Sequence, residues 1–224
     1  LCKKDLFATW QGAEMGYSQY AELPASFSDF VLGHVAAKVA DKTEKNIWQG
    51  VTAVAGEFDG IVTLLAADAA LPAPQDLVKA AVSPATIVAE LGRIVDAIPT
   101  TVYGKEDLRI YVASDIARAY TRALGGFAAA GVGANGFDNK GNNQVLGGLF
   151  FDGVQLVVAK GLANGTAVAA EKSNLFFGTG LLNEANEVRT IDMQDVDGSM
   201  NVRVILRFTA GVQYGQVSDI VLYS

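Results

Sequence analysis

The chain has 224 residues, half of them apolar and 18% charged, with a formal net charge of -7. That balance supports a buried core, as one large domain or two small ones, and excludes a disordered chain. It argues against wrapping nucleic acid by general attraction, which needs Lys and Arg in excess, and no apolar run reaches the ~18 residues of a membrane span.

Residues 1 to 25 scatter Leu6, Phe7, Trp10 and Tyr17 among Gly12, Gly16 and Ser18 without a sustained period, which predicts a strand or short helix and then a flexible loop. The chain opens at Leu1 with no Met and no signal-like apolar core, the expected mark of a processed or trimmed product. Ser26 to Trp48 predicts the longest helix. Phe27, Val31, Val35 and Val39 recur every fourth residue, with Leu32, Ala36 and Ala40 as a second apolar row. Ser26 or Ser28 can cap its start, Asp29 stands in the first turn, and Lys38, Lys42 and Lys45 gather toward the end that favours cations. Gly50 is the stop signal.

After Gly56 and Gly60 comes the apolar run Ile61 to Leu65, then Pro72 and Pro74, which reads as a crossing between substructures. Ser83-Pro84 places a cap and a first-turn proline ahead of a helix face made of Ile87, Val88, Leu91, Ile94, Val95 and Ile98. Leu108 to Ala113 predicts a buried strand, and Ser114 a cap for a second helix that ends at Gly125-Gly126. Helix, strand and helix in close succession make a compact α/β unit.

Gly125 to Gly148 is rich in glycine and asparagine and reads as a surface loop. Strands are predicted at Leu149 to Phe151, Val154 to Ala159, Leu175 to Gly178, Glu187 to Met193, Asn201 to Gly211 and Ile220 to Tyr223. Asp197-Gly198 marks a hairpin turn between the fourth and fifth of these. In the fifth, Val202, Val204, Leu206 and Phe208 alternate with Arg203, Ile205, Arg207 and Thr209, so one face is apolar and the other carries two arginines.

The chemistry-bearing residues do not assemble into a catalytic set. Cys2 and His34 are each the only one of their kind, which rules out an intrachain disulfide and a cysteine-rich zinc site, and His34 reads as a helix residue at a packing edge. Gly131-Val132-Gly133-Ala134-Asn135-Gly136 spells the dinucleotide fingerprint, but it follows a helix and opens a polar loop where the fingerprint must follow a strand and open a helix. Asp192, Asp195 and Asp197 before Gly198 spell part of a calcium loop without its terminal Glu, and read as a solvated turn. Glu184 and Glu187 could pair as acid and base, yet nothing else converges on them; Trp10 and Trp48 read as core anchors. No metal, no cofactor and no enzyme activity are expected.

The order of these signals resembles major capsid proteins of tailed phages of the Hong Kong 97 type. The resemblance covers about residues 25 to 224. It rests on a long helix ending in Glu44-Lys45-Asn46-Ile47-Trp48-Gln49-Gly50, the return at Gly60-Ile61, the run LRIYVASDIARAYTRAL with its glycine-rich loop, and Leu146-Gly147-Gly148-Leu149 leading into Val154 to Ala159. The late run from Lys172 to Gly215 and the closing VSDIVLYS complete it. The long N-terminal arm and extended loop of such proteins would lie ahead of the helix, where about 25 residues stand.

The resemblance implies an α+β phage capsid fold with a long spine helix, a peripheral domain of helix plus long strands, and a central mixed α/β domain. Its boundaries fall at 1–50 for the peripheral part with the spine, 51–185 for the central domain, and 186–224 for late strands returning to the periphery. It implies a coat subunit that self-assembles into an icosahedral shell enclosing DNA, assembled in the host bacterial cytoplasm and resident in the virion. The expected partners are further copies of the chain in pentamers and hexamers, other virion proteins and non-specifically enclosed DNA, with no membrane. Phe27, Val31, Val35, Arg203 and Arg207 are the expected subunit contacts. An encapsulin-like nanocompartment shares the fold; a nucleotide-binding enzyme using residues 131–136 is the alternative of a different class.

Overall fold

The computed structural model describes residues 25–124, 149–180 and 188–224. Among these, one compact unit holds the chain up to Thr43 together with Thr179–Ala210, and the other holds Glu44–Gly178 together with Gly211–Ser224. The strand or helix expected within residues 1–24, the loop at 125–148 with its 131–136 glycines, and Cys2, Trp10, Glu184 and Glu187 lie outside the described residues.

The long helix is present as α1, Ala25–Gln49. From Asp29 onward the row Val31, Val35 and Val39 is the more protected one: Val31 is 1% exposed, and Val35 and Val39 are half-buried. Ala36 and Ala40, expected as a second inward row, are exposed along with His34. One row of valines is protected along this part of the helix, and the two-row stripe that the sequence predicts is not covered.

The second unit is built on a six-stranded mixed sheet. Its strands are β1 (Asp76–Leu77), β2 (Leu108–Val112), β3 (Leu149–Phe151), β4 (Val154–Val158), β5 (Ala167–Glu171) and β10 (Val221–Tyr223). They stand in the order β1-β10-β5-β2-β4-β3. β2 pairs parallel with β4 and antiparallel with β5, Ile110 facing Leu156 on one side and Ala169 on the other. β5 pairs antiparallel with β10, and β10 parallel with β1.

Side-chain alternation sends each strand to both faces of the sheet. Leu108, Ile110 and Val112, with Ala167, Ala169, Val221 and Tyr223, meet helices α3 (Ile87–Asp96) and α4 (Ser114–Ala123) through Ile87, Leu91, Ile94, Ile116 and Tyr120. Val168, Ala170, Ile220 and Leu222 meet Trp48, at the end of α1, and helix α2 (Ile61–Ala67) through Ile61 and Leu65. The sheet is the middle of three layers. Each large apolar side chain buried this way contributes ~1.5–3 kcal/mol relative to exposure.

Several local expectations are corrected. Ser83 is not the cap of α3: Thr86 holds that position without a side-chain bond to the helix, and Ser83 closes the turn ahead of it, its N–H donating to Thr86 Oγ1 at 3.2 Å while the Thr86 N–H donates to Ser83 Oγ at 3.3 Å. Ser114 is not a cap. It is the first helical residue, and Ala113 holds the cap position without a side-chain bond. β3 and β4 form a tight hairpin through Asp152 (φ 44°) and Gly153 (φ 79°), the doubly left-handed pair that two-residue turns require.

The predicted strand Asn201 to Gly211 is two strands in two sheets. β8 (Val202–Leu206) pairs with β7 (Val188–Asp192), whereas β9 (Ala210–Tyr214) pairs with β6 (Leu175–Thr179). Residues 186–224, grouped as one block by the sequence, divide accordingly: β7 and β8 belong to the first unit, while nearly all of β9 and the whole of β10 belong to the second. The reason is β10, whose Val221, Leu222 and Tyr223 are buried on both faces in the middle of the six-stranded sheet. Among the described residues no helix is long and apolar enough to cross a membrane.

Candidate functional site

The surface with the most distinctive chemistry is the β7–β8 hairpin. Its connection is one helical turn, α5 (Gln194–Asp197), and not a bare Asp-Gly turn. Asp192 Oδ1 accepts the Gln194 N–H at 3.1 Å, the Met193 N–H donates to the Asn201 carbonyl at 2.9 Å, and Gly198 closes the turn at φ 71°. The Ser199 N–H donates to Asp197 Oδ1 at 2.9 Å, so that carboxylate is committed to shaping the turn. Among the described residues no group of acidic, His or Cys side chains is placed to hold a metal ion.

Register fixes what each face carries. Ile191 stands opposite Arg203, and Arg189 opposite Ile205. Because alternate residues share a face, these four side chains form a checkerboard in which each arginine stands across from an isoleucine. Arg189, Ile191 and Arg203 are exposed and Ile205 is half-buried. The reverse face carries Thr190, Val204, Val188, Leu206 and the buried Val202. Arg207, Phe208 and Thr209 lie past the strand and are all exposed, so Phe208 does not continue the apolar face as the alternation predicted.

The structure thus places the expected contact residues differently from one another. Arg203 and Arg207 are on the surface, Val35 is half-buried and Val31 is buried. Phe27 lies in α1, in a stretch whose side chains are outside the description. Sequence reading missed Arg189 and Ile191. Their signal was present, since Glu187 to Met193 was recognised as the partner strand, but the register that aligns them with Arg203 and Ile205 cannot be read from either strand alone.

A face of guanidinium and aliphatic groups has definite chemical abilities. Arginine forks bind carboxylates bidentately, and isoleucine between them excludes water from that contact. Such a face suits an acidic protein surface better than a phosphate backbone, which has nothing to offer the isoleucines.

By its elements this is a mixed α/β chain: a long helix and hairpin in one unit, and a three-layer sheet in the other. No family model matches the chain, and no curated protein matches it in sequence. Among solved structures it is similar to a chain of the satellite phage P4 procapsid that includes the size determination (Sid) protein. That likeness covers 100% of this chain and 71% of the other, with a TM-score of 0.57 and 10% identity. A further likeness, to mycobacterium phage Che8, covers 67% of this chain and 53% of that one, with a TM-score of 0.45 and 13% identity. The fold is that of a phage procapsid chain.

Proposed function

We propose that the chain is a major capsid subunit of the Hong Kong 97 type, which assembles with copies of itself into a closed shell around DNA. The observation that carries this reading is the fold likeness to a procapsid chain along the whole length of this one. In this reading α1 is the spine, the unit carrying β7 and β8 is the peripheral domain, and the three-layer unit is the central domain.

The arginine and isoleucine face is the contact we assign to assembly. The chain carries 24 acidic and 17 basic Lys and Arg residues, so copies meeting at random repel, and a concentrated cationic face provides the local attraction that overcomes this. Arg189→Glu with Arg203→Glu, the two arginines of that face, tests the assignment. Both side chains are exposed, so the expected result is an unchanged circular dichroism spectrum with assembly lost in light scattering, because like charges then cost several kcal/mol across the contact. Assembly at the parental concentration overturns the assignment. Intact shells that no longer retain nucleic acid would assign the face to DNA instead.

A further inference from the structure

Between β1 and α3 the chain crosses the end of the six-stranded sheet as residues 78–86, in neither helix nor strand. Most of this segment faces water: Val78 is 78% exposed, and Lys79, Ala80, Ala81, Pro84, Ala85 and Thr86 are exposed with it. Val82 is half-buried and is the one residue of the segment that packs against the core under α3 and α4. A Cβ on Gly165 would stand 3.5 Å from Lys79 Cδ and 3.7 Å from Val82 Cγ2, so both side chains lie over the turn that leads into β5.

The polar ties of the segment converge on the end of β10. The Ser224 N–H donates to the Leu77 carbonyl and the Lys79 N–H to the Ser224 carbonyl, both at 3.1 Å, which prolongs the short pairing of β1 with β10. The Ala80 N–H donates to the Tyr223 hydroxyl at 2.9 Å. That hydroxyl donates in turn to Glu90 Oε2 at 2.9 Å, and the same oxygen accepts Arg93 Nη1 at 2.7 Å. A chain of hydrogen bonds therefore runs from the exposed segment, through a tyrosine that is 1% exposed, to the surface of α3.

We infer that residues 78–86 form a strap that opens and closes over the end of the sheet while the rest of the second unit stays folded, with the Tyr223 hydroxyl as its latch. Opening gives up the bonds of Lys79 and Ala80 and the half-buried contact of Val82. The pairing of β10 with β5 and of β5 with β2 is untouched. Segments with few buried apolar contacts and exposed backbone bonds open at a free energy well below that of global unfolding. The latch is rigid because the Tyr223 ring is fixed in the core and its hydroxyl is oriented by Glu90, so the acceptor offered to Ala80 does not move. The device does not depend on the shell reading, since all of its residues lie in the second unit.

Native-state hydrogen exchange on the full chain, read by NMR along a urea series below the unfolding transition, tests it. The amides of Lys79 and Ala80 should exchange about a hundredfold or more faster than those of β5, with little dependence on urea, because a local opening exposes little surface. Tyr223→Phe removes the acceptor and should speed Ala80 about tenfold further while β5 keeps its own rate relative to global stability. Glu90→Ala, at the accessible end of the same chain of bonds, frees the hydroxyl to turn away and should speed Ala80 in the same direction. The strap is overturned if Lys79 and Ala80 exchange as slowly as β5 and with the same steep urea dependence. The latch is overturned if Ala80 keeps the parental rate in folded Tyr223→Phe, or in Glu90→Ala where the first variant does not fold.

Discussion

Tyr214 and Asp68 show how single side chains tie β9 to the chain just after α2 within the second unit. The Tyr214 hydroxyl donates to Asp68 Oδ2 at 2.6 Å. Burial, reinforced by this bond and by the carboxylate's charge, pushes the Tyr214 phenol up to about 12, while the Tyr214 hydroxyl and then the Ala70 N–H hold the Asp68 carboxyl below its usual range. The two shifts act at opposite ends of the pH scale. Stability from Asp68 is present above the ordinary carboxylate range and lost as pH falls through its lowered value. Stability from Tyr214 is complete below the ordinary phenol value of 10.0 and lost as pH rises toward about 12. Tyr214→Phe should therefore flatten the alkaline decline in urea-unfolding free energy across that window and bring the Asp68 titration, followed by carboxylate NMR, back toward its usual range. The same alkaline slope in the variant would show that the Tyr214 phenol is not held up in solution, and an unmoved Asp68 titration that the bond does not form. Other tyrosines, Tyr111, Tyr120 and Tyr223, are also shifted upward by burial, so the slope should shrink without vanishing.

The most informative junction among the elements is the return of the chain at the end of α1. The Gly60 N–H donates to the Gly50 carbonyl at 2.9 Å, Thr63 Oγ1 donates to the same carbonyl at 2.9 Å, and Gln49 Nε2 donates to the Gly161 carbonyl. A Cβ on Gly60 would lie 2.5 Å from the Gln49 nitrogen and 2.5 Å from the Trp48 carbonyl carbon, backbone atoms that cannot step aside. Gly60→Ala should lower unfolding stability by ~1–3 kcal/mol or more, the cost of forcing extra volume into a packed contact. Gly33→Ala, in exposed mid-helix with nothing within 4 Å of the added carbon, should instead raise it by ~0.5–1 kcal/mol. Chemical denaturation of the two variants decides the matter: equal effects of one sign would mean that helix propensity, not close approach, governs both.

That junction also marks what could be read from the sequence. The helix, its glycine stop and the Gly-Ile return were legible because each is a local signal, as were Trp48 as a core anchor, now 5.1 Å from Tyr111 between ring centroids, and the alternating β2. β5, AVAAE, was not. It lies between β10 and β2 and is buried on both faces, where alanines fit closely packed neighbours but carry little β-propensity or periodicity. The break at Arg207–Thr209 escaped for a related reason: alternation continues through the point where the partner strand changes, and only pairing reveals the change. Half of the candidate face was legible in Arg203 and its neighbours, and the other half depended on register.

At the scale of the whole molecule, the chain exposes three surfaces of mixed character: the arginine and isoleucine checkerboard, Val78 beside one sheet edge and an aromatic-walled cavity at the other. Exposed apolar groups next to complementary charge are costly in a solitary protein and useful in one that meets its own kind. The edge strand β3 is blunted, since the Tyr120 hydroxyl donates to the Phe150 carbonyl at 2.8 Å, which leaves side chains, more than strand addition, to make contacts there. Electron microscopy of the purified full chain across a concentration series, paired with sizing chromatography, tests the shell reading most directly. Closed particles of uniform diameter, appearing above a threshold concentration, are the expected result. A monodisperse, folded monomer at every concentration would contradict it.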